Sequence, residues 1–377
     1  MIYLDNAATT YPKSEAVYAT MDYTNRNLAV NSGRGTYKVA EQASRIIAET
    51  KQMLLDLFSA NGIADVVFTP SVTHAINQVL RGLNITSDTV IYLSPYEHNA
   101  VARTVVALQK EHDCRIAFIP IKEDLSIDLA QMEYNFSILP PDIVVINAIS
   151  NVTGYMLPLE QICDAAKVYN AITIIDAAQA AGLIPLNLQT LAANIICFAG
   201  HKTLGGPFGI GGFVIRKSLA LALRPVFTGG TGSDSLNTGM PVSSPAKFEA
   251  ASPNIIAVSG LRAALLENDP AEHFLVLKSL TDYLIQSLST IPKVRILGYL
   301  EDNIGIISFV VDGYESGDVG KILDEEYDIA VRTGYHCAPF IHCHLNDADY
   351  AGTVRIGLGR YTTKEDINTL ASALRTL

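Results

Sequence analysis

The stretch that decides the fold runs from residue 172 to residue 202 and reads ITIIDAAQAAGLIPLNLQTLAANIICFAGHK. It contains two short apolar runs, 172–175 and 195–198, whose β-branched residues are typical of buried strands. The first run stops at Asp176, and Lys202 follows the end of the second. Ligands of open α/β sheets bind at the carboxyl ends of the strands, and an acid and a lysine there match the two polar anchors of pyridoxal phosphate. A surface ion pair at the strand ends is the alternative that this stretch alone leaves open.

The composition indicates a globular chain with a large core, because 49% of the 377 residues are hydrophobic and 17% are charged. A net charge of −11 provides no electrostatic footprint for nucleic acid or for an anionic membrane, so neither partner is predicted. No uninterrupted apolar stretch of about 18 residues suggests a membrane span. The first residues do not resemble a signal peptide, and we therefore expect a cytoplasmic protein. Five cysteines, an odd number, argue against a disulfide scaffold.

Strands alternate with helices from residue 66 to residue 202, and this spacing predicts βαβ units and a largely parallel sheet, an α/β fold. Because crossovers between parallel strands share one hand, the carboxyl ends of the strands are expected on one edge of the sheet. Five polar residues follow such ends and are predicted to converge on one site: Thr73, His98, Asn151, Asp176 and Lys202.

Two segments are candidates for binding an anionic group. The turn Ser71–Thr73 joins a strand to a helix, where unpaired N–H groups and the helix dipole favour a phosphate. Simple capping of the helix by Ser71 or Thr73 is the alternative. The glycine-rich loop 228–233, which contains Thr231 and Gly232, can hold an anion on successive backbone N–H groups. His98, at another helix start, could stack on a cofactor ring or merely cap that helix.

The pattern changes near residue 255, after which long helices and short strands predict a smaller α+β lobe. We predict an N-terminal arm at 1–15 that packs with the small domain, and a large cofactor-binding domain at 16–255. The small C-terminal domain, 256–377, would carry a polar loop around Cys337.

The loop from Arg332 to Pro339 places Cys337 beside a histidine and near an arginine. Such surroundings favour a thiolate, which is the nucleophilic form of cysteine. His336 and the run His342–His344 also bring possible metal ligands close in sequence. Zinc sites normally use two spaced pairs of ligands, a spacing that is absent here, and we predict no metal.

The motifs in combination resemble a known family. Asp176–Gln179 (DAAQ), Gly200–Lys202 (GHK) and the RTG and HCA motifs of 332–338 resemble the class V aminotransferase fold, specifically the SufS-like branch of cysteine desulfurases and selenocysteine lyases. The resemblance runs from Tyr3 to Thr363. It implies a homodimeric pyridoxal phosphate enzyme of fold type I, with a mostly parallel central sheet, helices on both faces and a smaller α+β C-terminal domain.

The resemblance also implies roles for the matching residues. Lys202 would hold pyridoxal phosphate as a Schiff base, Asp176 would pair with the ring nitrogen, and His98 would stack on the ring. Cys337 would attack the substrate sulfur and become a persulfide. The other implied cofactor contacts are Ser71, Val72, Thr73, Asn151, Gln179, His201, Thr231 and Gly232, the last two reaching across from a partner subunit. The implied substrate contacts are Ala8, Arg34, Asn151 and Arg355.

The chain departs from the SufS pattern at several positions: Val72 replaces a threonine, Ala199 replaces a serine, and the stretch 340–344 differs. The predicted function is nevertheless a pyridoxal phosphate-dependent cysteine desulfurase that converts L-cysteine to L-alanine and passes sulfur to an acceptor protein. One alternative is selenocysteine lysis or another class V reaction, such as transamination. Another is a non-enzymatic sulfur or metal carrier that uses the Cys/His loop.

Overall fold

The computed structural model describes residues 1–32, 35–232 and 236–377. The strands are β1 (Ile2–Tyr3), β2 (Ala64–Thr69), β3 (Val90–Leu93), β4 (Arg115–Phe118), β5 (Ile143–Asn147), β6 (Ile172–Asp176), β7 (Ile195–Ala199), β8 (Gly211–Arg216), β9 (Val294–Leu297), β10 (Ile306–Val311), β11 (Ile329–Ala330), β12 (Arg332–Gly334) and β13 (Thr353–Gly357).

The helices are α1 (Glu15–Asn27), α2 (Lys38–Leu57), α3 (Val72–Gly82), α4 (Asn99–His112), α5 (Leu129–Ile138), α6 (Leu159–Val168), α7 (Lys217–Ala222), α8 (Ile255–Leu266), α9 (Pro270–Ser289), α10 (Ser316–Tyr327), α11 (His342–Leu345) and α12 (Lys364–Leu374). Among the helices of the described ranges, none combines the length and the apolar character that crossing a membrane requires.

The central sheet has seven strands in the order β2-β8-β7-β6-β5-β3-β4. Strands β3 to β7 pair in parallel, and β8 runs antiparallel to both of its neighbours. Successive residues of a strand point to opposite faces, so Ile174 and Ile195 enter one hydrophobic core while Ile175 and Ile196 enter the other. Burial on both faces explains the uninterrupted apolar runs of the sequence, and the predicted mostly parallel α/β sheet is confirmed.

The sheet brings several strand ends together on one edge. Asp176 is the last residue of β6 and lies directly opposite Asn147, the last residue of β5. On the other side of β6, strand β7 ends at Ala199, three residues before Lys202. The topology therefore delivers an acid and a lysine to the same place, as the sequence predicted.

A second sheet, β12-β13-β10-β9, is antiparallel and lies in the C-terminal part of the chain. The sequence predicted one strand at 329–332, but the structure divides it at Val331. The first half, β11, pairs in parallel with the N-terminal β1, whereas the second half, β12, pairs with β13. The division of the chain into an arm, a large domain and a small domain stays a prediction.

Candidate active site

A pocket of about 330 Å³ opens at the carboxyl edge of the central sheet. Its lining contains six of the residues that the sequence singled out: Val72, His98, Asn151, Asp176, Gln179 and Lys202. Asn147, Ile149 and Ala178 complete the wall and were not predicted. For Asn147 a signal did exist, because it ends a buried strand next to β6.

Asp176 and Lys202 influence each other's protonation across this pocket. Asp176 is buried, and its carboxylate accepts a 2.9 Å hydrogen bond from the Ala178 backbone N–H. Burial raises the pKa of Asp176, while that hydrogen bond and the charge of Lys202 oppose the rise. Burial lowers the pKa of Lys202 to about 8, and the Asp176 carboxylate opposes that fall. The lysine can therefore lose its proton near neutral pH, which a nucleophilic amine requires.

The lowered pKa predicts an unusual reactivity for Lys202 in the cofactor-free protein. Its amine is protonated below a pH of about 8 and neutral above it, whereas an ordinary lysine changes state near 10.4. The rate at which Lys202 is acylated should thus reach half its maximum near pH 8. Mass spectrometry after short pulses of an acylating reagent measures this rate. Lys321, whose side chain is 69% exposed, is the internal comparison. If both lysines follow one pH curve, the prediction is wrong.

His98 caps a helix and also lines the pocket; its stacking on a cofactor ring stays a prediction. Its Nδ1 accepts a 3.0 Å hydrogen bond from the Ala100 N–H at the start of α4. An accepting Nδ1 carries no proton, which leaves the ring neutral with its hydrogen on Nε2. Burial, followed by the charge of Lys202, lowers the pKa of His98 to about 4 and keeps the ring neutral.

The predicted phosphate turn is the start of α3, which begins at Val72. Ser71 caps this helix, because its Oγ accepts a hydrogen bond from the His74 N–H at 3.3 Å. Strand β8 passes close behind the turn, and a Cβ on Gly211 would lie 2.8 Å from the Val72 nitrogen. Thr73 is exposed and does not line the pocket. The phosphate contacts assigned to Ser71 and Thr73 stay predictions.

The N-terminal arm holds the backbone that carries Lys202. Thr10 Oγ1 donates to the Lys202 carbonyl at 2.7 Å, and Thr9 Oγ1 donates to the His201 carbonyl at 3.0 Å. Lys13 Nζ donates to the same His201 carbonyl at 2.9 Å. Sequence reasoning missed these three residues. The only indication in the sequence was that the N-terminal arm ends in a few polar residues.

The side chain of His201, whose carbonyl the arm binds, stacks its ring on Phe208 at a centroid distance of 4.6 Å. Burial, together with the charges of Lys202 and Lys13, lowers the pKa of His201 to about 4. The Nδ1 atom of His201 is buried and has no hydrogen-bond partner among the described residues. A buried nitrogen of this kind is a natural contact for a bound ligand.

Arg355 lies deep beside the pocket and is 2% exposed. Its Nη2 donates to the Asp5 carboxylate at 2.8 Å, and its Nη1 donates to the Asn151 carbonyl at 2.9 Å. Its Nε is buried without a partner in the described part of the chain. Through Asp5, the arm thus also orients the arginine that the resemblance assigned to the substrate.

The Cys337 loop is tied to the mouth of the pocket at two points. The Cys337 carbonyl accepts a 2.6 Å hydrogen bond from the Asn99 N–H, next to His98. The His336 carbonyl accepts a 2.7 Å bond from Asn151 Nδ2. The Cys337 side chain itself is exposed. The structure therefore holds an accessible thiol beside the pocket.

The remaining predicted residues lie elsewhere. Thr231, followed by Gly232, lines a separate cavity of about 1820 Å³ that also borders His74. Ala8 lies in the arm, next to Ala7, whose carbonyl accepts a 2.8 Å bond from Gln179 Nε2. Arg34 lies outside the described residues. Over the ranges that the structure describes, no group of three or more His, Cys, Asp and Glu side chains could hold a metal ion.

The family model for aminotransferase class-V matches residues 2–370. The chain belongs to this family, as the motifs predicted. Its relatives include the cysteine desulfurase of Pectobacterium atrosepticum, which is 30% identical over 387 residues spanning 100% of this chain and 92% of the relative. A probable cysteine desulfurase of Methanothermobacter thermautotrophicus is 29% identical over 378 residues, spanning 99% of this chain and 94% of the relative.

Solved structures agree with this assignment. The apo cysteine desulfurase from Thermococcus onnurineus NA1 superposes with a TM-score of 0.91 at 28% identity, covering 100% of this chain and 94% of that one. The cysteine desulfurase CsdA from Escherichia coli superposes with a TM-score of 0.88 at 26% identity, covering 99% of this chain and 94% of that one. The predicted fold and the resemblance to cysteine desulfurases are confirmed.

Proposed function

We propose that this chain is a pyridoxal phosphate-dependent cysteine desulfurase that converts L-cysteine to L-alanine and leaves a persulfide on Cys337. One observation carries the proposal: the pocket that contains Lys202 and Asp176 has an exposed thiol anchored at its mouth, with the Cys337 carbonyl bound to the Asn99 N–H. The similarity to proteins named cysteine desulfurase supports the same activity.

The residues of the pocket fit pyridoxal phosphate. The amine of Lys202, which deprotonates near neutral pH, matches the link to the cofactor aldehyde. The buried carboxylate of Asp176 matches the ring nitrogen, and the neutral imidazole of His98 matches the ring face. The Nδ1 of His201, which has no partner among the residues that the structure describes, and the amides at the start of α3 suit a phosphate. When bound, pyridoxal phosphate supplies an electron sink for charge that develops at the substrate Cα.

Side chains of the protein would hold the cofactor ring, move the Cα proton and bind the substrate carboxylate. Asp176 would provide the negative charge that keeps a proton on the ring nitrogen, and the neutral His98 would pack on a ring face. Lys202, with its pKa near 8, can take the Cα proton and return it. The planar fork of Arg355 suits the substrate carboxylate. Asp5 and Asn151 each take one N–H of its two terminal nitrogens, and its Nε has no partner among the described residues, so donors remain for that group.

Cys337 completes the reaction as a nucleophile. Its sulfur forms a bond to the substrate sulfur while the substrate carbon–sulfur bond breaks. The electron pair of that bond stays with the carbon, which takes up a proton, so that alanine leaves and the protein retains one extra sulfur atom. Exposure of Cys337 and of Tyr335 beside it suits delivery of that sulfur to an acceptor protein.

We further propose a homodimer in which the loop at Thr231 and Gly232 completes the partner's phosphate site. Large apolar side chains are exposed along the stretch that contains this loop, among them Phe208, Leu236 and Val242, and such groups are normally covered. All five cysteines are free thiols, a state that suits a reducing compartment such as the cytoplasm.

A product assay tests the proposed function. The protein is incubated with pyridoxal phosphate, a reductant and, in parallel, L-cysteine, L-selenocysteine or L-cysteine sulfinate, with D-cysteine as the control. Alanine and sulfide should form in equal amounts from L-cysteine. Alanine from selenocysteine alone would favour the lyase alternative, and a requirement for an amino-group acceptor would favour transamination.

A further inference from the structure

A buried histidine–aspartate pair lies behind the Cys337 loop and takes no part in the mechanism described above. His342 Nδ1 and Asp347 Oδ2 are 2.5 Å apart, and their side chains are only 6% and 1% exposed. The Nε2 of His342 has no partner in the described part of the chain, so Asp347 is the polar group that orients the ring. The sequence singled out this stretch only as a departure from the SufS pattern.

Asp347 lies at the start of a turn that is stabilised by backbone hydrogen bonds. Its carbonyl accepts hydrogen bonds from the N–H groups of Tyr350 and Gly352, both at 3.1 Å. Gly352 in turn passes against Gly334, because a Cβ on Gly352 would lie 2.5 Å from the Gly334 carbonyl carbon. The carboxylate that positions His342 therefore sits on a turn packed against the strand that leads into the Cys337 loop.

The ring of His342 contacts the two residues that precede the thiol. It packs edge-to-face on Tyr335 at a centroid distance of 5.1 Å and lies 6.0 Å from the ring of His336. His336 is itself held by a 2.8 Å hydrogen bond between its Nε2 and Thr353 Oγ1. The His342–Asp347 pair thus packs against the segment that carries Cys337.

That segment needs support, because His336 and Cys337 both have left-handed backbones with φ of 46° and 58°. Left-handed conformations are unfavourable for residues that carry a Cβ, and two in succession require outside contacts. Asn99 and Asn151 hold the carbonyls on the pocket side. The ring of His342 adds its packing against Tyr335 and His336.

We infer that His342 and Asp347 are positioning residues for Cys337, which hold the segment 335–337 in the strained conformation that presents the thiol to the substrate. The inference rests on the proposed role of Cys337 as the sulfur acceptor. Neither residue touches the reacting atoms; both act through Tyr335 and His336. Loss of the pair should misplace the thiol while leaving the pocket around Lys202 unchanged.

The test compares His342→Ala, His342→Asn and Asp347→Ala in the pyridoxal phosphate-loaded enzyme. His342→Ala and Asp347→Ala should lower kcat for L-cysteine by about 10- to 100-fold, the cost of a small misplacement, with little change in KM. His342→Asn retains an N–H near the position of Nδ1 and should recover much of the loss. Cofactor absorbance should match that of the unmodified protein in all three.

A second readout does not depend on turnover: the rate at which iodoacetamide alkylates Cys337, followed by peptide mass spectrometry. This rate should change severalfold in the two alanine variants. His344→Gln and Cys343→Ser alter exposed neighbours on α11 and serve as matched controls. Unchanged kcat and alkylation in properly folded His342→Ala would overturn the inference, whereas an unmodified protein without desulfurase activity would instead overturn the proposed function.

Discussion

Replacement of Cys337 by alanine is expected to abolish sulfide release from L-cysteine while leaving pyridoxal phosphate bound. The thiol is the group proposed to accept the substrate sulfur, and removal of an essential nucleophile typically lowers turnover by at least about 10³-fold. The residues proposed to hold the cofactor line a pocket to which the Cys337 side chain does not contribute, so its removal should leave them in place. Sulfide release with a reductant and the cofactor absorbance are measured on the same sample.

Cys343 provides the matched control, since it is also an exposed cysteine and lies six residues further along. Cys343→Ala should keep full activity. After one turnover without reductant, the peptide that contains Cys337 should gain the mass of one sulfur atom in the unmodified protein. Substantial sulfide release by Cys337→Ala would contradict the assignment of this thiol and favour a class V reaction in which it is dispensable.

Replacement of Lys202 by alanine is expected to have an effect of similar size for a different reason. The substitution removes both the amine that would be linked to pyridoxal phosphate and the base that would move the Cα proton. General acid–base catalysis alone contributes about 10²- to 10⁴-fold, so at least that much activity should be lost. Lys202→Arg should not restore it, because a guanidinium remains protonated.

A chemical readout separates this prediction from a general loss of folding. Borohydride reduction of the loaded protein should attach the cofactor permanently to the peptide that contains Lys202, and no such attachment should occur in Lys202→Ala. Lys321→Ala, a change at an exposed lysine of α10, is the control and should behave like the unmodified protein. Attachment to a different lysine would show that Lys202 has been assigned wrongly.

The fold could be predicted largely from local patterns, because the strands of the central sheet are buried on both faces and therefore read as short apolar runs. The prediction failed at residues 329–332, where one apparent strand is two. The break depends on pairing with β1 and β13, which are distant in the sequence. Local periodicity contains no information about such partners.

The site was predictable to the extent that strand ends converge. Asp176, Lys202 and His98 follow buried strands, and parallel pairing brings such positions together. The contacts of the N-terminal arm were not predictable, since Thr10 and Lys202 are 192 residues apart and Asp5 and Arg355 are 350 residues apart. Neither pair carries a pattern that points to its partner.

The sequence by itself determined which chemical groups this protein possesses: an α/β sheet whose strands end in an acid and a lysine, an arginine, and a cysteine in a polar loop. Only the tertiary structure decided the state of those groups. Burial lowers the pKa of Lys202 to about 8, and burial together with helix capping keeps His98 neutral. The physical reason is that desolvation and hydrogen-bond direction depend on neighbours that the fold assembles from distant parts of the chain.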